Sequence, residues 1–298
     1  MLAKIEEQMT RYYKVAEHVF ALSMPQGHPL WGMLSQYAPF ELPEAGEPIF
    51  ELTLVPDIQW DRMTMVYDGS PEPDQPLVRL FDGVDAWGAE SAPVRNAPVA
   101  GRLRMDKSFR RGSLQIITRR EALFALNNAL MLMFAFRTAT EGTLEMHASV
   151  TVNSGKAFLF LAKSGTGKST HSQLWLDNIP GSSLLNDDNP VVRIFPDGKV
   201  IAYGSPWSGK TPCYKNEQYP VGAFVQIRRS PGNKITKLNL FESYALLYGS
   251  SSGFKAEKTM ADGLHDSFSK IAGISPCYVL DCTPDPEAAL VCSREVLG

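Results

Sequence analysis

Two stretches of this chain have the composition of a phosphate cradle: AKSGTGKST at residues 162 to 170, and GSPWSGKT at residues 204 to 211. In the pattern G-x-x-x-x-G-K-[ST], glycines let the backbone curl so that its N–H groups face phosphate oxygens. The lysine then neutralises charge and the hydroxyl ligates magnesium. A strand must enter such a loop and a helix must leave it at once, because the first N–H groups of the helix and its dipole complete the anion site. Read as letters, GSPWSGKT is the stricter match, since the upstream loop opens with Ala162. Context reverses that ranking. Ala157 to Leu161 is an apolar run suited to a strand, and THSQLWL downstream of the first loop contains no proline. The second candidate holds Pro206, meets Pro212 at its end and reaches Pro220 without a sustained apolar stripe. Nucleotide binding is therefore assigned to Ala162, Lys163, Ser164, Gly165, Thr166, Gly167, Lys168, Ser169 and Thr170. The second stretch reads either as a Gly/Pro turn after a strand or as a loop closing over a phosphoryl acceptor, with Ser208, Gly209 and Lys210 at its tip.

Phosphoryl transfer also needs a metal bridging the phosphates and a group that orients or deprotonates the acceptor. LLNDD supplies Asp187 and Asp188 at the end of an apolar run, and a chain that turns at a strand end can bring both carboxylates to one site. The bland alternative is an Asx-rich turn before Pro190. His147, in MHAS, lies on a strand joined by a short turn to the one that enters the first loop. A lone strand histidine is more often a satisfied core or surface residue, and His171 and His265 have weaker context still. Arg228 and Arg229 end a strand and could reach an anion, although a solvated strand end is the reading preferred.

With these residues in order, MHASVTVNSGKAFLFLAKSGTGKST…LLNDD resembles the central segment of ATP-dependent phosphoenolpyruvate (PEP) carboxykinases. It is also similar to the C-terminal domain of HPr kinase/phosphorylase, which has an S-G-x-G-K-S loop and an Asp-Asp pair. The resemblance covers residues 146 to 188. It implies a PEP carboxykinase-like P-loop fold, with Lys168 on the β- and γ-phosphates and Ser169 on Mg²⁺ or Mn²⁺. It further implies Asp187 as acid/base, Asp188 nearer the metal, and His147 where a second metal is bound. Thr170 stands where HPr kinases have an acidic residue, and SPGN at 230 to 233 is only faintly similar to their later signature. The function expected is ATP-dependent transfer of the γ-phosphoryl group to a hydroxyl, of a protein serine or a small molecule, with Lys168 and Asp187 as the catalytic residues. The alternatives are a carboxykinase-like lyase and a nucleotide-binding sensor without chemistry.

The elements that must position these residues fall into two parts. The fold class expected is α/β: a P-loop domain over 119–298, preceded by a smaller, mostly-β (α+β) domain over 1–118. Residues 4 to 22 carry Ile5, Met9, Tyr12, Ala16, Val19 and Phe20 at helical spacing, which predicts an amphipathic helix. IFELTLV, MTMVYDG, PLVRLF and SLQIIT then read as strands, and a buried helix spans 119 to 136. Farther on, VVRIFPDGKVIAYG predicts a hairpin, CYVLDC a strand, and TPDPEAA the start of a last helix with Thr283 as cap. At 298 residues, 44% hydrophobic, 20% charged and net charge −3, the chain has ordinary globular composition. It has no broad positive field for nucleic acid. Its N-terminus is charged from Lys4 and predicts no signal peptide, so the expected compartment is the cytoplasm, with neither membrane nor nucleic-acid partner. ATP and the acceptor are the partners expected, and a homo-oligomer is compatible with the sequence. Cys213, Cys277, Cys282 and Cys292 show no CxxC pairing and read as buried thiols.

Overall fold

The computed structural model of the protein describes residues 7–69, 76–209 and 211–298. Lys210 of the second loop, and residues 4 to 6 of the expected first helix, lie outside the described residues. The chain divides into two compact units, Met1–Arg137 and Thr138–Gly298.

The first unit is built on a nine-stranded sheet in the order β3-β1-β2-β4-β9-β8-β7-β6-β5. Its strands are β1 (Gln8–Val15), β2 (His18–Pro25), β3 (Glu41–Leu42), β4 (Phe50–Leu54), β5 (Thr64–Gly69), β6 (Leu77–Asp82), β7 (Ala86–Ala92), β8 (Gly101–Asp106) and β9 (Arg111–Ile116). The expected helix over 4 to 22 is instead the hairpin β1–β2, paired from Gln8↔Pro25 to Val15↔His18. The turn falls on Ala16 (φ 46°) and Glu17 (φ 67°), two residues in the left-handed region without the Asn-Gly letters that usually announce such a turn. Met9, Tyr12 and Ala16 fit a helical spacing by chance, while the alternation that buries Tyr13 and Val15 has the period of a strand.

The division between the units falls in the last turn of α1 (Ala122–Thr138), between Arg137 and Thr138. The helix belongs with the first sheet because the sheet makes room for it. At Gly101 a Cβ would stand 2.8 Å from Ala125 Cβ, and at Gly112 it would overlap the Met133 sulfur. Tyr37 donates a hydrogen bond to Asn127 Oδ1 at 2.8 Å, and Phe134 meets Phe20 edge-on at 6.4 Å.

The second unit carries β10 (Thr143–Glu145), β11 (Ala148–Asn153), β12 (Lys156–Leu161), α2 (Lys168–Asn178), β13 (Ser183–Asp188), β14 (Val191–Ile194), β15 (Val200–Tyr203) and β16 (Gln218–Arg229). They are followed by β17 (Lys234–Lys237), α3 (Leu240–Gly249), α4 (Lys258–Ile274), β18 (Cys277–Cys282) and α5 (Pro286–Leu297). The strand expected to carry His147 is interrupted at Met146 and His147, between β10 and β11. β11 and β12 form a hairpin over Ser154 (φ 50°) and Gly155 (φ 73°). β13 flanks β11 on its other side, while β12 pairs in parallel with β16, and β16 in parallel with β18.

Alternate residues of the three parallel strands, Phe158 and Phe160, Ala223, Val225 and Ile227, and Tyr278, Leu280 and Cys282, form one apolar face. Trp175 of α2, the nearby Ile179, and Ala288, Ala289 and Cys292 of α5 cover it. At 11 residues, α2 is shorter than the roughly 12–15 that hold a helix together in isolation, so this packing is what maintains it. All four cysteines are buried and free. No helix among the described residues is long and apolar enough to cross a membrane.

The cap of α5 is Asp285, whose side chain accepts from the Ala288 N–H, and Pro286 occupies the first turn. Thr283 lies two residues too early to reach that N–H and instead binds Asp285 and Asn233. Asp285→Ala is therefore expected to lower stability by about 1 kcal/mol in urea unfolding. A larger loss from Thr283→Ala would return the cap to the threonine.

Candidate functional site

The order strand, glycine loop, helix is present at the first motif. β12 is fully apolar after Lys156, the loop runs from Ala162 to Gly167, and α2 starts at Lys168. Gly165 (φ 72°) and Gly167 (φ 133°) adopt backbone conformations that disfavour any other residue. Gly167 is also the cap position of α2, and no side chain caps the helix there. The first N–H groups of α2 thus face out of the loop without a side-chain acceptor, which is the electrostatic condition for holding an anion. Lys163 and Ser164 are exposed at the loop tip, and Ser169 and Thr170 are exposed on the first turn.

Lys168 is buried and folds back over this loop. Its Nζ lies 2.5 Å from His147 Nε2 and 3.4 Å from the Ala162 carbonyl oxygen. His147 Nδ1 in turn lies 3.3 Å from Asp188 Oδ1. The three side chains form a chain of ammonium, imidazole and carboxylate, satisfied by a neutral ring that accepts from Lys168 and donates to Asp188. Burial lowers the pKa of Lys168 against the opposing pull of Asp188 and Asp187. Burial, and then the Lys168 charge, lower that of His147.

Asp187 and Asp188 both lie within β13, yet both act on Lys168. The chain remains in strand pairing through both residues, and Asp188 is linked to Lys168 through His147. Asp187 is 3% exposed, and its buried Oδ2 has no hydrogen-bond partner among the described residues. An unsatisfied buried carboxylate oxygen is costly and calls for an explanation in a proton, a cation or a substrate hydroxyl.

The second motif lies beside the aspartates. No helix follows it, and residues 212 to 217 are irregular until β16 begins. The Asn186 amide donates to Ser205 Oγ and to the carbonyls of Ser205 and Trp207, the Gly209 N–H donates to the Asp187 carbonyl at 2.8 Å, and Ser208 bridges to Asp188. The glycines of this motif serve close backbone approach: a Cβ on Gly209 would stand 2.7 Å from the Asp187 oxygen, and one on Gly204 would collide with the Lys215 carbonyl.

Among the described residues no three His, Cys, Asp or Glu side chains converge to hold a metal. Magnesium takes one or two protein carboxylates and completes its shell with phosphate oxygens and water. Asp188, the Ser169 hydroxyl and the orphaned Asp187 oxygen are donors of the hard type it prefers. Both ring nitrogens of His147 are engaged, so a metal there would have to displace Lys168 or Asp188.

A cleft of about 390 Å³ opens beside the loop. Leu174, Ile227, Cys282 and Pro284 give it apolar walls, and Thr166, Thr170, Arg229, Ser230 and Thr283 line its polar parts. Sequence reasoning missed this cleft because its walls come from α2, β16 and the end of β18. It also missed Arg229: the expected solvated strand end is a guanidinium bound to the carbonyls of Gly165 and Thr166. The one available signal was the position of Arg229 at the carboxyl end of a strand, where open α/β sheets gather their ligands.

Neither protein-family models nor curated proteins give a match to this chain. Among solved structures, the Hpr(Ser) kinase/phosphatase from Coxiella burnetii aligns over 51% of this chain and 96% of its own, at 13% identity and a TM-score of 0.31.

His171, on the inner face of α2, is structural. Its Nε2 accepts from Trp175 Nε1 at 3.2 Å, its ring meets Phe160 edge-on, and burial brings its pKa down from 6.5 to about 4. The unfolded chain takes up that proton near pH 6.5 and the folded chain only near pH 4, so this contribution to stability is whole above pH 6.5 and is lost as the pH falls toward 4. Between pH 7 and 4.5, His171→Gln should lose about 2–3 kcal/mol less stability than the unaltered chain in urea unfolding. Equal losses would mean that the imidazole is not held neutral.

Proposed function

We propose that this chain is an ATP-dependent kinase that transfers the γ-phosphoryl group to a hydroxyl, of a protein serine or of a small molecule. What supports the reading is the uncapped start of α2 behind its glycine loop, with Lys168 at that start under the electrostatic influence of Asp187, whose Oδ2 has no hydrogen-bond partner among the described residues. The loop N–H groups and the dipole of α2 hold the phosphates, and Lys168 leaves His147 to neutralise the β- and γ-oxygens. The nucleoside occupies the neighbouring cleft, where Leu174, Ile227 and Pro284 offer apolar surface to a base. Ser169 and Asp188 would hold magnesium, which when bound offsets negative charge on the phosphates.

Asp187 accepts the proton of the acceptor hydroxyl as its oxygen bonds to the γ-phosphorus. The bond from phosphorus to the β,γ-bridging oxygen breaks on the opposite side, releasing ADP. Asn186 and the loop around Ser208 and Gly209 fix the Asp187 backbone, and the same loop flanks the acceptor's place of entry.

The test is calorimetric titration with ATP and magnesium, followed by an assay for phosphoryl transfer or phosphate release. Lys168→Met is expected to weaken nucleotide binding by about 10- to 100-fold, from loss of a charge-assisted contact. Asp187→Asn is expected to bind the nucleotide as before and to turn over at least about 100-fold more slowly. Unchanged turnover would remove Asp187 as the base. Nucleotide binding with no phosphate released or transferred in any condition would leave a nucleotide sensor in place of an enzyme.

A further inference from the structure

The phosphate loop has a conformational problem that its own sequence does not solve. Gly165 and Gly167 permit the backbone angles the loop requires, but glycine also has the most conformational freedom to lose, and open space surrounds the position of a Cβ at either residue. No packing from their own side chains can fix them. Arg229, at the end of β16, reaches the loop from outside. Its Nη2 donates to the Gly165 carbonyl at 2.5 Å and its Nε to the Thr166 carbonyl at 3.0 Å.

We infer that Arg229 is a positioning residue of the phosphate loop, its planar fork holding two successive peptides in the orientation that receives a nucleotide's phosphates. The inference rests on the nucleotide-binding role proposed for the loop. In a trans peptide the carbonyl and the next N–H point in opposite directions, so fixing one oxygen fixes the following hydrogen. Bonding the Gly165 carbonyl sets the Thr166 N–H, which closes a turn on the Lys163 carbonyl at 3.1 Å. Bonding the Thr166 carbonyl sets the Gly167 N–H, turned to the opposite side, where α2 begins. A lysine could reach one carbonyl but lacks the rigid pair of donors. Arg228, the preceding residue, points elsewhere, and its Nε and Nη2 each donate to Asp281 at 2.9 Å. It has the same charge and nearly the same location, and so serves as the control.

The experiment compares the unaltered chain with Arg229→Ala, Arg229→Lys and Arg228→Ala. Each is titrated with ATP–magnesium and with inorganic tripolyphosphate, and hydrogen exchange is followed at the amides of residues 163 to 169. Arg229→Ala is expected to bind both polyphosphates about tenfold more weakly, equivalent to about 1.4 kcal/mol, and to exchange its loop amides faster at an unchanged thermal midpoint. Arg229→Lys should recover little of the loss, and Arg228→Ala should match the unaltered chain. Full affinity and unchanged loop exchange in Arg229→Ala would overturn the inference, as would complete rescue by lysine, which would reduce the role to charge alone. If the unaltered chain binds neither polyphosphate, the proposed function falls. The exchange data then still decide whether Arg229 braces the loop.

Discussion

The arrangement depends on one local constraint, a helix that starts without a cap of its own. Every α-helix begins with N–H groups that need acceptors, and most sequences supply a side chain for the purpose. In this chain α3 uses Asn239, α4 Glu257 and α5 Asp285, whereas α2 has Gly167, which offers no acceptor. The short α2 is kept in place by Trp175 and Ile179 against the aromatic face of β12, so its open end is a stable feature and not a frayed one. Lys168 begins this helix, and Asp187 and Asp188 arrive on β13, two strands away from β12 across β11.

The two glycine-rich motifs show how the same letters serve different physics. In the first, glycine supplies positive φ, which lets the backbone curl at the start of α2. In the second, it supplies the absence of a side chain, so that one backbone can lie directly on another. The second motif touches the aspartate strand through Asn186, whose side chain satisfies the backbone of residues 205 to 207. The first is linked to Asp188 through Lys168 and His147, and the second lies on the backbone of Asp187 and Asp188.

Much of the second unit was legible because its signals are local. An apolar strand, a glycine loop, a proline-free helix and an apolar run ending in two aspartates can each be read from a few neighbours. What was not legible depends on pairing between distant segments. That β12 and β16 are parallel neighbours, and hence that Arg229 faces the loop, follows only from the order of strands in the sheet. The cleft was hidden for the same reason. The first hairpin was misread for a different one: Ala16 and Glu17 make a left-handed turn held by the strands on either side, against their own preference. The place of α1 was not legible either, because a largely apolar helix does not announce which sheet it will cover.

The strand β16 has a consequence for how the second unit is made. Its first residues pair with β15, its middle with β12 and its end with β18, the last strand in the chain. A ribosome that has delivered the chain only as far as Pro276 has produced the loop, both aspartates and Arg229, but the edge of β16 is still bare and Asp281 has not yet arrived to engage Arg228. Parallel pairing of this kind waits on distant sequence. The site can assume its finished form only once residues 277 to 282 have been made, and a chain cut short before them would expose an open strand edge suited to self-association.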